Sequence, residues 1–300
     1  MATETIPKGT APTAQERVLV RRVESIEDYR KCEDLQTAVW GSDDIVGIPL
    51  LGLVTAQDNG GIVLGAFAPG GTLAGFVYSF PGLAPSGRLK QCSVILAVHP
   101  DYRNHGVGPR LKQAQRDAAL AQGIDLITWT FDPLVGTNAY LNLAKLGGVS
   151  STYLTNLYGL GQGLNAGLET DRLLVEWWLS EGGRPRVGLA DLPGGSVAAV
   201  NVLGSHPRSG VPINRGYDLN REDEWVLIRI PRDIGAVKET DMELARTWRA
   251  QTREMFVAYL GQGYRVRGFE RECHEPGSNP CYVLHREPDD QRRGAAGRRG

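Results

Sequence analysis

Val98-His99-Pro100-Asp101-Tyr102-Arg103-Asn104-His105-Gly106-Val107-Gly108 is the stretch on which the reading of this chain turns. An apolar strand end leads through Pro, Asp and Asn into Gly-x-Gly, and a helical pattern follows. The first four N–H groups of a helix have no internal partner, and the macrodipole places roughly half a positive charge there. A glycine turn at that point aims amides outward, and side-chain-free positions let an anion such as a phosphate approach. Taken alone, the same turn is equally a structural one. Three other glycine patterns are excluded: the third glycine of a dinucleotide fingerprint is missing, as are the Gly-Lys-Ser/Thr end of a P-loop and any kinase set.

Downstream, Leu111, Ala114, Ala118 and Ala121 recur at helical spacing between Gly106 and Gln122, and Gly123 closes the helix. A strand Ile124 to Phe131 follows and is broken by Asp132-Pro133; Asn138 to Leu146 reads as a helix stopped by Gly147-Gly148, and Ser151 to Tyr158 as a strand. Upstream, Ile62 to Phe67 and Leu73 to Phe80 form a hairpin through Ala68-Pro69-Gly70-Gly71, and Leu83 to Gly87 reverses the chain into Leu89 to Val98. Arg17 to Val23 alternates as a strand. Ser25 with Asp28 starts a helix through Tyr29, Leu35, Val39 and Trp40, and the stretch from there to Gly60 reads as loop. A meander followed by strand-helix-strand-helix-strand predicts an α/β fold of the α+β kind with a mixed sheet.

Gly159 to Gly216 is rich in Gly and Pro and reads as connecting structure, with Leu173 to Leu179 as its one apolar segment. Beyond it, strand Trp225 to Ile230, helix Asp241 to Leu260 and the pair Tyr264 to Cys273 with Cys281 to His285 predict a second, smaller α/β unit. The expected organisation is therefore 1–17 disordered, 18–160 the main domain, 161–286 a C-terminal extension and 287–300 a disordered Arg/Gly tail. The chain carries 33 Lys plus Arg against 34 Asp plus Glu, a net charge of -1, so neither nucleic acid nor a membrane surface is an expected partner. No run of about 18 apolar residues exists to span a membrane. Met1 to Arg17 lacks the apolar stretch of a signal peptide, and four cysteines are too few for a disulfide framework, so a cytoplasmic location is expected.

The motif and the order of elements together resemble the GNAT superfamily of acyl-CoA N-acyltransferases over residues 18–160, where Arg103-Asn104-His105-Gly106-Val107-Gly108 fits the signature Arg/Gln-x-x-Gly-x-Gly/Ala. The resemblance implies a GNAT-like acyl-CoA-binding fold. Arg103, Asn104, His105, Gly106, Val107 and Gly108 would hold the CoA pyrophosphate, and the strand carrying Leu96 and Val98 would pair with the pantetheine amides. Acyl-CoA, of the acetyl-CoA or succinyl-CoA class, would be the co-substrate, a small-molecule primary amine the acceptor, and no metal is called for. Thr130 to Leu134, Asn138 to Gly147, Tyr153 to Gly159, and Thr170 to Trp178 are similar to a mostly bacterial branch with an extra C-terminal region, some of whose members acylate amino acids. Pro109 removes one amide from the cradle. The tyrosine that many relatives place before Ala144-Lys145-Leu146-Gly147 is replaced by Leu143.

An ordinary thiol titrates at about 8.5 and leaves readily as thiolate, whereas an ammonium at about 10 must first lose a proton, so a base matters more than an acid. Asp132, at the end of its strand, is the candidate base, although an Asp before proline is more often a turn or cap residue. Tyr140 is the candidate acid, against simple packing. Arg172 is the candidate for a substrate carboxylate, with Asp171 beside it as a competing partner. Cys92 reads as a small buried hydrophobe. Cys273, His274, Cys281 and His285 lack the close Cys pair of a zinc site. The stripe Trp248, Met255, Tyr259 reads as core. The rival function is a non-catalytic acyl-CoA sensor or interaction module; the state of assembly, a homodimer included, is left open.

Overall fold

The computed structural model describes residues 18–41, 47–160, 167–179, 187–192, 197–273 and 277–287. The expectations of disorder at 1–17 and, apart from Glu287, at 287–300, and the zinc question at His274, lie outside these. Glu287 is buried and pairs with Arg265 at 2.6 Å, so the tail expected to be disordered starts one residue too early. The chain divides into two compact units, one of residues 1–79 and 95–118, the other of 80–94 and 119–300.

In the first unit, strands β1 (Leu19–Arg22), β2 (Ile62–Phe67) and the first part of β3 (Leu73–Leu83) pair antiparallel in that order, with the last residues of β4 (Leu89–Val98) next. Helix α1 (Ile26–Trp40) starts where Ser25 predicts it, with the Ser25 hydroxyl accepting from the Asp28 N–H. The expected hairpin turn is present: Ala68 N–H donates to the Thr72 carbonyl, and Gly70 and Gly71 take φ of 89° and 83°. Tyr29, Cys32 and Leu35 of α1, and Leu53 of helix α2 (Leu50–Asp58), cover one face of the strands. The loop expected up to Gly60 thus contains a helix; its Leu50, Leu51, Leu53, Val54 run is short and apolar nearly all round, so no helical period stands out. Val107 and Leu111 of helix α3 (Val107–Ala121) cover the other face, against Ala66, Ala74 and Val77. Gly75 permits that approach, since a Cβ there would lie 2.7 Å from the Ala97 carbonyl and 3.0 Å from Val107.

In the second unit, the strand order is β4, β5 (Leu126–Phe131), β7 (Arg172–Trp178), β6 (Val149–Leu154), β12 (Tyr264–Glu270), β13 (Cys281–Arg286), β11 (Trp225–Arg229) and β8 (Val197–Ala199). β4 runs parallel to β5 and β11 to β8, while β5–β7, β7–β6, β6–β12, β12–β13 and β13–β11 are antiparallel. The mixed α/β class follows in both units. Leu173 to Leu179, read as an isolated apolar segment, is here a central strand inserted between β5 and β6, with Leu173 and Val175 fully buried. The Gly/Pro-rich stretch also holds β8 and a hairpin of β9 (Asn201–Ser205) with β10 (Pro212–Tyr217). Its glycines and short apolar runs hide those strands from a period-2 reading.

After helix α5 (Ile234–Thr240), helix α6 (Met242–Gly261), capped by Asp241, buries Ala245, Trp248, Met255, Phe256 and Tyr259 in the core of this unit. The Trp248, Met255, Tyr259 stripe is core as expected. Phe256 stacks on Tyr153 and meets Tyr282 edge-on, and the Tyr282 hydroxyl donates to the Pro133 carbonyl at 2.7 Å. Between β5 and β6 the chain makes the short helix α4 (Gly136–Ala139) and continues as a π-helical turn from Tyr140 to Lys145.

Candidate functional site

In the first unit, the strand β4 alternates: Ile95 and Ala97 join the α1/α2 core, while Leu96 and Val98 turn to the face that packs on Val107 and Leu111. After β4, the chain makes one turn of 3-10 helix over Pro100–Tyr102, its entry fixed by the Asp101 N–H donating to His99 Nδ1 at 3.3 Å. Arg103 then folds back, with Nε donating to the Val98 carbonyl at 3.4 Å. Two left-handed residues follow, Asn104 at φ 65° and Gly106 at φ 74°. Asn tolerates that region and Gly prefers it, so the sequence Asn-His-Gly carries a double reversal that β-branched residues would resist.

The Gly106 carbonyl accepts from the Arg110 N–H at 3.2 Å and opens the α3 ladder. That leaves the amides of Gly106, Val107 and Gly108 at the helix start, Pro109 having none to give. No acidic residue lies in the first turn to compete for an anion. Arg103, Asn104, His105 and Gly106 are exposed. A Cβ built on Gly106 meets nothing within 4 Å, and one on Gly108 meets only Leu96 and Val98 at 3.8 Å. Space is therefore open beside Gly106, while Val107 and Gly108 are buried.

In the second unit, Asp132 sits directly after β5 and is buried. Its Oδ1 accepts from the Leu134 N–H at 2.8 Å, an Asx turn that starts the chain toward α4. Its Oδ2 accepts from Arg249 Nη2 of α6 at 2.5 Å and lies 3.7 Å from Arg172 Nη1. Asp132 thus acts as the turn former that its place before proline suggests, and also as the counter-charge of two arginines. Burial works against the charge on Arg249 but Asp132 outweighs it, and the guanidinium is held above its usual range; for Arg172 burial prevails over the more distant Asp132.

Asp171 is fully buried and does pair, though not with its neighbour Arg172: its oxygens take Arg253 Nε and Nη2 at 2.8 and 2.7 Å, the Tyr153 hydroxyl at 2.8 Å and the Asn156 N–H at 2.9 Å. Burial opposes its ionisation, yet these donors together hold it below the ordinary carboxylate range. Tyr153 is pushed up, by burial first and by Asp171. Among the described residues Arg172 has a backbone bond to the Asp171 carbonyl, the long contact to Asp132 and the Tyr158 ring 5.6 Å away.

Tyr140 opens the π-helical turn with the Arg271 guanidinium 3.8 Å over its ring and Lys145 Nζ at 5.6 Å. Leu143, where relatives of the resembled family carry a tyrosine, is fully buried in the core. Cys92 is a partly buried strand residue. Among the described residues, no group of three or more His, Cys, Asp or Glu is placed to hold a metal, and no helix is long and apolar enough to cross a membrane.

Arg249 and Arg253 were not singled out by the sequence. The signal was present in the α6 stripe: 245, 248, 249, 252, 255, 256 and 259 are all buried, and Arg249 and Thr252 are its two polar members. A charged residue at helical register with a buried stripe needs a partner inside.

Residues 27–147 match the model of the acetyltransferase (GNAT) family. No curated protein matches the chain. Solved structures similar to it include the ribosomal-protein-S18-alanine N-acetyltransferase from Escherichia coli, at 16% identity and a TM-score of 0.44 over 56% of this chain and 97% of that one. A GNAT-family acetyltransferase from Streptococcus pneumoniae is similar at 18% identity and 0.45, over 55% and 100%. An aminoglycoside 6'-N-acetyltransferase complexed with coenzyme A is similar at 14% and 0.42, over 56% and 99%.

Proposed function

We propose that this chain, whose residues 27–147 match the acetyltransferase (GNAT) family model, transfers an acyl group from acyl-CoA to a primary amine. The observation that carries the reading is the turn Arg103–Gly108: two left-handed residues, three amides at the start of α3, and open space over Gly106, in the segment that matches the family. In this reading Arg103, Asn104, His105, Gly106, Val107 and Gly108 hold the CoA pyrophosphate, because a phosphate satisfies amides that the helix leaves unpaired and lies at the positive end of its dipole. Leu96 and Val98 lie along the pantetheine.

The amine attacks the thioester carbonyl directly; the new C–N bond forms as the C–S bond breaks, the thiolate leaves with CoA, and the ammonium proton passes to a base. Asp132 is the proposed base. Its carboxylate has four lone-pair positions, of which Leu134 and Arg249 take one each, so it retains positions at which an amine N–H can be accepted. Tyr140 is the proposed acid toward the sulfur. Residues 18–160 are the proposed acyl-transfer region, with 161–286 as its extension supplying strand and helix to the second unit. Acetyl and succinyl donors, and an amino acid as the amine, are the proposed substrate classes, in a cytoplasmic setting.

The fully buried Leu143 favours a second reading, in which the domain binds acyl-CoA without turning it over. Calorimetric titration with CoA, paired with a free-thiol assay over acetyl- and succinyl-CoA with mixed amines, separates the two. Binding with amine-dependent thiol release is expected; binding with no release under any pairing would leave the sensor, and no binding would overturn both.

A further inference from the structure

Arg249 is 3% exposed, in a helix face otherwise devoted to the core. Its Nη2 reaches Asp132, but Nε and Nη1 have no hydrogen-bond partner among the described residues. Since a guanidinium carries five N–H donors, three of them, one on Nε and two on Nη1, are buried and unanswered. The hydroxyl of Thr252, one turn along the same face, is in the same condition. Unpaired donors on a buried cation are costly, and a fold keeps them where something else supplies the acceptor.

The neighbouring charges balance. Asp171 and Glu169 share Arg253, while Arg249 and Arg172 face Asp132 at 2.5 and 3.7 Å. The donors left over on Arg249 therefore call for a hydrogen-bond acceptor rather than for a counter-charge. The cluster reaches solvent on the Arg172 side, where that side chain is 13% exposed and the ring of Tyr158, itself 67% exposed, lies 5.6 Å from its guanidinium. A carboxylate, planar and with two oxygens, matches the edge of a guanidinium.

We infer that Arg249 and Arg172 seat a carboxylate of one of the two substrates, with the Thr252 hydroxyl as a third donor and the Tyr158 ring as its apolar border. The inference rests on the acyl-transfer reading above. The carboxylate comes either from the amine acceptor or from a dicarboxylic acyl group on the donor, and Arg249 is the residue that selects for it.

The test is a grid of four reactions with the full chain: leucine or leucinamide as amine, acetyl-CoA or succinyl-CoA as donor, read as kcat/KM from CoA release. The expected result is a preference of about 10- to 100-fold for the carboxylate-bearing member along one axis, the axis naming the substrate that carries it. Arg249→Lys keeps the charge and loses the fork, and is expected to cut that preference about 10-fold, with the melting curve verifying the fold. Equal rates along both axes, within a factor of about 3, would overturn the inference while leaving acyl transfer intact. If no pairing releases CoA, the acyl-transfer reading fails instead, and calorimetric titration of the same four compounds decides. Tighter binding of a carboxylate member by about 10-fold would uphold the seat, and equal or no binding would assign the free donors to buried water.

Discussion

Arg249 Nη2 lies 2.5 Å from Asp132 Oδ2, tying the middle of the long helix α6 to the end of strand β5 across 117 residues of sequence. A buried pair of this kind is expensive to break, because removing one partner leaves the other charge uncompensated, at about 3–5 kcal/mol. Asp132→Asn is therefore expected both to lower stability and, if Asp132 is the base, to lower turnover by about 10²-fold or more. The two effects separate below the melting range: CoA affinity stays near the parent while turnover falls across pH 6 to 9. Parental turnover in a folded variant would leave Asp132 as an anchor only.

Gly108→Ala isolates the anion turn. The added methyl meets Leu96 and Val98 at an ordinary 3.8 Å, so the protein tolerates it, and it adds bulk between the helix start and the strand residues proposed to lie along the pantetheine. The expected outcome is an unchanged melting temperature with CoA binding weakened by about 10-fold or more in calorimetry. Gly106→Val adds backbone strain at φ 74° and is expected to weaken binding further. Parental affinity in both variants would remove the turn from the binding site.

Lys112, buried in α3 with its ammonium donating to Gln115 Oε1 at 2.7 Å, is pushed down to about 7 by burial. Above its unfolded value of about 10.5 the lysine is neutral in both states and costs nothing. As pH falls below that, the unfolded chain gains the proton and the folded one does not, so stability declines by about 1.4 kcal/mol per unit until pH nears 7, then levels off. Lys112→Met is expected to abolish this slope and to be the more stable form at neutral pH. Denaturant melts of both proteins from pH 7 to 10 check it; parallel curves would show that Lys112 keeps an ordinary proton affinity when folded.

Truncation after Gly167 removes β7, the strand that pairs with both β5 and β6, and with it all of α6. Exposed strand edges and the uncovered faces of Phe131, Leu134 and Leu143 are expected to give a fragment that aggregates in sedimentation and melts without cooperativity. A monodisperse fragment melting as sharply as the parent and still transferring acyl groups would show that the C-terminal region is a separable appendage.

The parts of this fold that were legible are those where one local rule dominates. Ser25 caps α1 through a single hydroxyl bond, Ala68 to Gly71 sets its hairpin through two positive-φ glycines, and Asn104 to Gly108 announces a turn into a helix. What escaped depends on long-range pairing. Leu173 to Leu179 carries the same apolar run whether it is a tether or a central strand, and only its register against Leu126–Phe131 and Val149–Leu154 decides. Arg172 and Asp132 were visible as charged residues near strand ends, but their partner Arg249 lies 77 residues beyond Arg172, in a helix whose apolar stripe masked it. Asp171 found Arg253 by the same long route rather than the arginine next to it.

The central claim, acyl transfer to an amine, is tested most directly by following both products at once: free CoA by thiol titration and the acylated amine by mass spectrometry, with the full chain, an acyl-CoA and an amine panel. The account predicts one acylated amine for every CoA released, and no release when the amine is omitted. CoA release that is indifferent to the amine, or bound acyl-CoA that is never consumed, would contradict it.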